Sequence, residues 1–84
     1  MLEDSKIRAF LTIVQLGSFT AAARKLGLTQ PAVSAQIASL EQALGVTLFE
    51  RGRELSLTPP GEHFLGYALR IQEAYNLANQ AFSV

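Results

Sequence analysis

Four residues near the middle of the chain have the types and spacing that suit the reading of DNA base edges. The side-chain amide of Gln30 can pair with the N6 and N7 atoms of adenine, and the hydroxyl of Ser34 can donate or accept a hydrogen bond. Pro31 and Ala35 are apolar and can touch a thymine methyl group. On one side of a helix, these residues would suit the major groove of a duplex. An ordinary solvated helix face is the alternative interpretation.

A second set of residues has the chemistry needed to hold phosphates, which are bound by cations, hydroxyls and the N–H groups of helix N-termini. Arg24 and Lys25 end one predicted helix, and Arg51 and Arg53 lie in a polar turn from which they could enter a minor groove or hold a phosphate. Alternatively, the first two are plain surface charges and the turn arginines pair with neighbouring glutamates. The predicted backbone-contact residues are Ser18, Thr20, Arg24, Lys25, Thr29, Arg51 and Arg53.

Catalytic and metal chemistry have little support in this sequence. The chain has no Cys and a single His, so it offers neither a thiolate site nor enough His ligands for zinc. No Ser/His/Asp or Cys/His set and no glycine-rich phosphate loop is present. We therefore expect no catalytic residue, no metal and no cofactor, and we interpret His63 as a surface residue near a helix start.

Three predicted helices position the candidate residues. The first runs from about Asp4 to Leu16, the second from Phe19 to Leu26 after the N-cap Ser18, and the third over residues 29–44. Only the turn 27–29 separates the second helix from the third, which is typical of a helix-turn-helix. At 100° per residue, burial of one aliphatic stripe turns Pro31, Ser34 and Ala35 outward. Gln30 lies nearer the flank, at the N-terminal tip of the helix. That stripe is Val33, Ile37, Leu40 and Leu44.

The rest of the chain predicts a hairpin and a long helix. Leu48 and Phe49 form the first predicted strand, residues 50–54 the turn, and residues 55–57 the second strand. Apolar residues at alternating spacings of four and three then form a heptad stripe, which predicts a dimer interface. The alternative is a helix packed on its own domain, and both hold if its first turns pack on the body and its later turns on a partner. The stripe is Phe64, Ala68, Ile71, Tyr75, Ala78 and Phe82.

Length and hydropathy limit the class of protein. A chain of 84 residues hides only about 60% of its unfolded surface, so support from a second chain is expected. No apolar run approaches the ~20 residues of a membrane span. Charges within the first ten residues interrupt any signal-peptide-like stretch. We expect a cytoplasmic, nucleoid-associated protein without a membrane partner.

The charge of the chain is unevenly distributed. Lys plus Arg and Asp plus Glu number seven each, and a net charge of zero argues mildly against nucleic-acid binding. However, residues 5–53 hold six of the seven cations and only two of the seven carboxylates. This pattern indicates a localised basic surface.

Several short segments of the chain follow one another in a recognisable order between about residues 4 and 75. They are residues 17–23 (GSFTAAA), Leu26, 29–34 (TQPAVS), 40–41 (LE), 44–45 (LG), 48–51 (LFER) and 57–61 (LTPPG). As an ordered set, they resemble the N-terminal module of LysR-type transcriptional regulators.

The resemblance implies a mainly α fold. Residues 1–58 would form a winged helix-turn-helix with a three-helix core and a small two-stranded wing, and residues 59–84 a long C-terminal dimerisation helix. In the family, the long helices of two subunits pair antiparallel, and the regulators bind interrupted palindromes in double-stranded DNA. A homodimer is therefore expected, and assembly of two dimers into a tetramer in a full-length protein is left open. Gln30, Pro31 and Ser34 match positions that face DNA in the family, and Arg51 matches its wing arginine.

Three departures from the family pattern affect these expectations. Ala35 stands where the family often has Arg, which should weaken or change that contact. The wing is about one residue shorter than its commonest form, which leaves open the direction in which the Arg53 side chain points. Family members usually carry an effector-binding domain, which 84 residues cannot include. We therefore expect a DNA-binding fragment of a longer regulator, in which a small-molecule effector acts only through a domain absent from this chain. The alternative is a natural short protein.

Two other classes of function are weighed against this one. A protein–protein interaction module would use the same helices without DNA, and zero net charge and Ala35 favour it slightly. A small hydrolase or other enzyme would need a catalytic constellation that this sequence does not show.

Overall fold

Four helices and a two-stranded antiparallel sheet make up the computed structural model, which describes residues 2–83. The order of elements confirms the predicted winged helix-turn-helix followed by a long helix. The elements are α1 (Ser5–Leu16), α2 (Phe19–Leu26), α3 (Gln30–Leu44), β1 (Phe49–Arg51), β2 (Leu55–Leu57) and α4 (Pro59–Ala81).

Side-chain caps determine where the helices begin. The carboxylate of Asp4 accepts hydrogen bonds from the N–H groups of Lys6 and Ile7, so it caps the first turn of α1. The hydroxyls of Ser18, Thr29 and Thr58 each accept from the N–H group three residues later. These bonds satisfy N–H groups that lack a partner within the helix. All four predicted helix starts are therefore confirmed, and Asp4 is the cap of the first helix.

The turn between α2 and α3 depends on Gly27. Its φ is 69°, in the left-handed region that a residue without Cβ adopts at little cost. Its N–H group bonds to the carbonyl groups of Ala23 and Arg24, which closes α2 and lets α3 begin three residues later. The predicted helix-turn-helix is thus confirmed with a three-residue break.

One aromatic cluster in the core joins α1, α2 and α4 to the wing, and we define it as Phe10, Phe19, Phe49 and Phe64. The fully buried ring of Phe10 lies 5.4 Å from that of Phe49 and 5.1 Å from that of Phe64, between ring centroids. The ring of Phe19 lies 5.5 Å from that of Phe49. Around this cluster the buried aliphatic residues include Ile7, Ile13, Val33, Ile37, Leu40 and Leu48.

The start of α4 is fixed against the segment that precedes the wing. The N–H group of Thr58 donates to the carbonyl of Leu48 at 3.0 Å, and its hydroxyl donates to the carbonyl of Thr47. Gly61 is buried here, and a Cβ atom at this position would lie 2.2 Å from the Leu48 oxygen. Only glycine permits this close approach, so α4 leaves the wing in one fixed direction.

Two predicted details are wrong. Leu48 precedes β1 instead of opening it, because its N–H group donates to the Glu41 carboxylate and its carbonyl binds Thr58. The sheet instead extends to Arg51, which pairs with Leu55 and so lies on the strand rather than in the turn.

Leu44 was also predicted to be buried, but it is 42% exposed. It lies in the last turn of α3, where it lines an open recess with Val46, Pro60 and Tyr67. The aliphatic stripe of α3 therefore ends one turn earlier, at Leu40.

The two halves of α4 have different surroundings. Phe64 and Ala68 pack on the body, and Ala68 is fully buried. Beyond Ala68, large apolar side chains are exposed, among them Ile71 at 38% and Leu77 at 56%. A pair of hydrogen bonds, each of 2.8 Å, joins the Asn79 side chain to the backbone N–H and carbonyl of Leu2. No helix between residues 2 and 83 is both long and apolar enough to cross a membrane.

The contact at Gly61 leads to a stability prediction. We expect Gly61→Ala to lower the free energy of unfolding by about 1–3 kcal/mol, because the new methyl group would have to displace backbone. Gly66→Ala is the matched control on the same helix, where a Cβ atom has nothing within 4 Å. It should be neutral or stabilising, by up to about 1 kcal/mol, through helix propensity.

Urea unfolding of both variants at one protein concentration measures the difference. Equal midpoints for the two alanine variants would contradict the close approach at Gly61.

Candidate nucleic-acid interface

The N-terminal end of α3 holds the four predicted base-reading residues. Pro31 and Ala35 are exposed, whereas Gln30 and Ser34 are half-buried. The opposite side of the helix is buried, with Val33 at 0% and Ile37 at 3% exposure, so burial of that side leaves the polar end accessible. The structure thus keeps the four residues together at the accessible start of α3.

Gln30 and Ser34 are hydrogen-bonded to each other. The Nε2 atom of Gln30 donates to the Oγ atom of Ser34 at 2.8 Å, across one helical turn. A side-chain amide has two N–H donors and a carbonyl acceptor, so this bond uses only one of its three groups. The bond restricts the rotamers of Gln30 and holds its amide near the start of α3.

The predicted backbone-contact hydroxyls lie at helix N-termini. Ser18 and Thr29 are N-caps whose hydroxyl oxygens accept from Ala21 and Ala32 at 3.1 and 3.3 Å. A capping hydroxyl still has its own proton to donate. Thr20 is exposed in the first turn of α2. The arrangement can offer hydroxyl and N–H donors to an anion.

The four predicted backbone-contact cations are exposed. Arg24 and Lys25 lie in the last turn of α2, Arg51 ends β1, and Arg53 lies in the wing turn. Within residues 2–83 the one ion pair joins Arg8 to Glu3, at 3.3 Å. The pairing of the wing arginines with neighbouring glutamates is therefore absent from the described part of the chain.

The wing contacts α2 through a contact that sequence reasoning missed. The Cζ atom of Arg51 lies 4.1 Å from the centroid of the Phe19 ring. The two residues are far apart in sequence, and no local pattern pairs them. The contact brings the wing cation beside the start of α2. Phe19 is flanked in the sequence by Ser18 and Thr20, two of the predicted backbone-contact residues.

The later part of the predicted dimer stripe is available to a partner. Ile71 and Phe82 are exposed, Phe82 at 86%, and Tyr75 and Ala78 are half-buried. Phe64 and Ala68 belong to the body of the domain. Exposed Leu69 and Leu77 add to the apolar surface of α4.

No metal site is found in the part of the chain that the structure describes. No three His, Cys, Asp or Glu side chains between residues 2 and 83 lie close enough to hold an ion. His63 is exposed near the start of α4, and its ring lies 5.3 Å from that of Tyr67.

Similarity to known proteins agrees with this geometry. HTH-type transcriptional regulator YdcI of Escherichia coli K12 is 43% identical over 76 residues, which cover 89% of this chain and 25% of YdcI. The chain thus spans about a quarter of the length of this curated relative.

Two solved structures with similar folds contain DNA. One is the BenM DNA-binding domain with catB site 1 DNA, at a TM-score of 0.88 and 38% identity, covering 95% of this chain and 91% of that one. BenM is a transcriptional regulator of Acinetobacter baylyi. The other is the CbnR DNA-binding domain with DNA, at a TM-score of 0.86 and 33% identity, covering 95% and 93% of the two chains.

A family model described as the bacterial regulatory helix-turn-helix protein, lysR family, matches residues 5–62, which is more than half of the chain. These residues include the three helices of the body, the wing and the fixed start of α4. The chain therefore belongs to the LysR family of bacterial helix-turn-helix regulators.

Proposed function

We propose that this chain is the sequence-specific DNA-binding domain of a transcriptional regulator and that it binds duplex DNA as a homodimer. The observation that carries the proposal is the amphipathic placement of α3, whose aliphatic side is buried while its Gln30–Ser34 end is accessible. The BenM and CbnR domains, which have the same fold, are each in complex with DNA. This favours DNA binding over a protein-only interaction module, and the curated relatives cited are regulators rather than enzymes.

Base recognition is assigned to the start of α3, which would enter the major groove. Because Ser34 holds the Gln30 amide, its free N–H and carbonyl can face the N7 and N6 atoms of an adenine. Pro31 and Ala35 are assigned to apolar contact, since a thymine methyl group is the apolar feature of the groove. With a methyl group where relatives often have arginine, Ala35 contributes no charge, so the reading depends more on Gln30.

Backbone binding is assigned to the exposed cations and the helix-start donors. Arg24, Lys25, Arg51 and Arg53 would neutralise phosphates, with Arg53 or Arg51 reaching the minor groove beside the wing. Ser18, Thr20 and Thr29 would add neutral hydrogen bonds. Such contacts fix the position of the domain without carrying sequence information.

Dimerisation is assigned to the second half of α4. Ile71, Tyr75, Ala78 and Phe82 would pack on the same residues of a second copy. Because the start of α4 is fixed to the body, this pairing would also set the separation of the two recognition helices. Half-sites one helical turn apart require about 34–36 Å, which suits an interrupted palindrome.

The proposed function also implies a cellular location, an effector and a larger assembly. A protein that binds chromosomal DNA would lie in the cytoplasm in association with the nucleoid. In a longer regulator, a small-molecule effector would act through another domain, and two dimers would be able to form a tetramer.

The division between base and backbone contacts can be tested with two variants. We expect Gln30→Ala to reduce discrimination at one base position by about 1–3 kcal/mol, because the bidentate amide is lost. Arg51→Ala should weaken binding about equally for all sequences and lower the salt slope by about one.

Sites selected from a random DNA pool, followed by titrations of single-base variants at several salt concentrations, give both quantities. An equal loss of discrimination in the two variants would contradict the assignment. Binding that does not depend on salt in the unmodified domain would contradict DNA binding itself.

The dimer assignment predicts the effect of Ile71→Glu. Ile71 is 38% exposed in the single chain, so the variant should fold, but a dimer would have to bury its charge. The loss should be on the order of several kcal/mol in dimer stability, and operator binding should fall with it. Gln80→Glu is the control, because it adds the same charge on the opposite side of α4.

Sedimentation measures the dimer constant of each variant, and a gel shift measures operator binding. A dimer that persists in Ile71→Glu at the unmodified strength would place the interface elsewhere.

A further inference from the structure

The wing arginine has an aromatic partner in the body of the domain. The Cζ atom of Arg51 lies 4.1 Å from the centroid of the Phe19 ring, well inside the range of about 6 Å over which a cation is attracted to a ring face. Arg51 is exposed and takes part in no ion pair with any residue from 2 to 83. The ring is therefore the contact that orients this cation.

The Phe19 ring is itself held in place. Phe19 is 8% exposed, and its ring meets that of Phe49 nearly edge to face, at 5.5 Å and 73°. Phe49 and Arg51 are two residues apart on β1, so their side chains leave the same face of the strand. The strand thus inserts Phe49 beside Phe19 and places the guanidinium above the ring.

One carboxylate faces the same region. Glu41 lines the recess that Phe19, Phe49 and Arg51 also line. The Oε2 atom of Glu41 accepts a hydrogen bond from the Leu48 N–H group at 2.7 Å, and the pair Glu41–Arg51 does not form an ion pair. Because no ion pair forms with Glu41, the aromatic ring is the partner of the arginine.

We propose that Phe19 is a positioning residue of the DNA interface, which acts by holding the guanidinium of Arg51 over its ring at the junction of the wing and α2. This inference rests on the proposed function, in which Arg51 binds the DNA backbone. A cation–π contact uses none of the N–H donors of a guanidinium in a hydrogen bond, so they can still reach phosphate oxygens. Holding a long side chain before DNA arrives reduces the entropy lost on binding.

A double-mutant cycle tests this role with the unmodified domain, Phe19→Leu, Arg51→Ala and the double variant. We expect Phe19→Leu to weaken DNA binding about two- to five-fold, the size of an exposed cation–π contact. In the Arg51→Ala background the same change should have no effect on affinity. Phe10→Leu is the control, since it removes a ring that packs on Phe49; its effect should be the same with and without Arg51.

The outcomes separate the inference from the proposed function. If Phe19→Leu weakens binding equally in both backgrounds, the ring acts only through the fold and the positioning role is overturned. If it strengthens binding, the ring withholds Arg51 from DNA, which also overturns it. If Arg51→Ala leaves affinity unchanged, the wing contact in the proposed function is wrong as well.

A second measurement is made on the free domain, without DNA. A ring 4.1 Å away should move the NMR signals of the Arg51 side-chain protons upfield in the free domain, and Phe19→Leu should abolish the shift. Signals at ordinary positions in the unmodified domain would overturn the inference, even if Phe19→Leu did not fold.

Discussion

Packing within the aromatic cluster is the interaction that holds the wing and the start of α4 against α1 and α2. Phe10 comes from α1, Phe19 from α2, Phe49 from β1 and Phe64 from α4, so four elements meet at contacting rings. Aromatic pairs at these separations contribute about 0.5–1.5 kcal/mol each beyond the area they bury. In a domain of 84 residues with one small core, these contacts are a large part of what fixes the wing relative to the helices.

The sequence predicted the features that depend on local structure. Ser18 was recognisable as an N-cap, because capping needs only a hydroxyl three residues before a free N–H group. The four base-reading candidates on α3 lie together because helical spacing alone decides which residues share a face. LysR family membership was also reachable, since it depends on an ordered set of short segments.

Features that depend on tertiary contacts were missed. Leu48 and Phe49 together predicted a short strand, but the carboxylate of Glu41 on α3 accepts a hydrogen bond from the N–H group of Leu48. Leu44 follows the aliphatic period of α3, yet it is 42% exposed, because it faces an open recess beside α4 rather than the core. The Phe19–Arg51 contact brings together residues on different elements, for which the sequence contains no periodic signal.

The double hydrogen bond between Leu2 and Asn79 joins residues that are 77 positions apart in sequence. The first and last helices are therefore neighbours in the fold. As the chain leaves the ribosome, α1 to α3 emerge before the helix that covers Phe10 with Phe64. The core can close only after α4 has been synthesised, so the nascent domain exposes part of its apolar interior until translation has passed that helix. Such long-range closure slows folding relative to bundles with only local contacts.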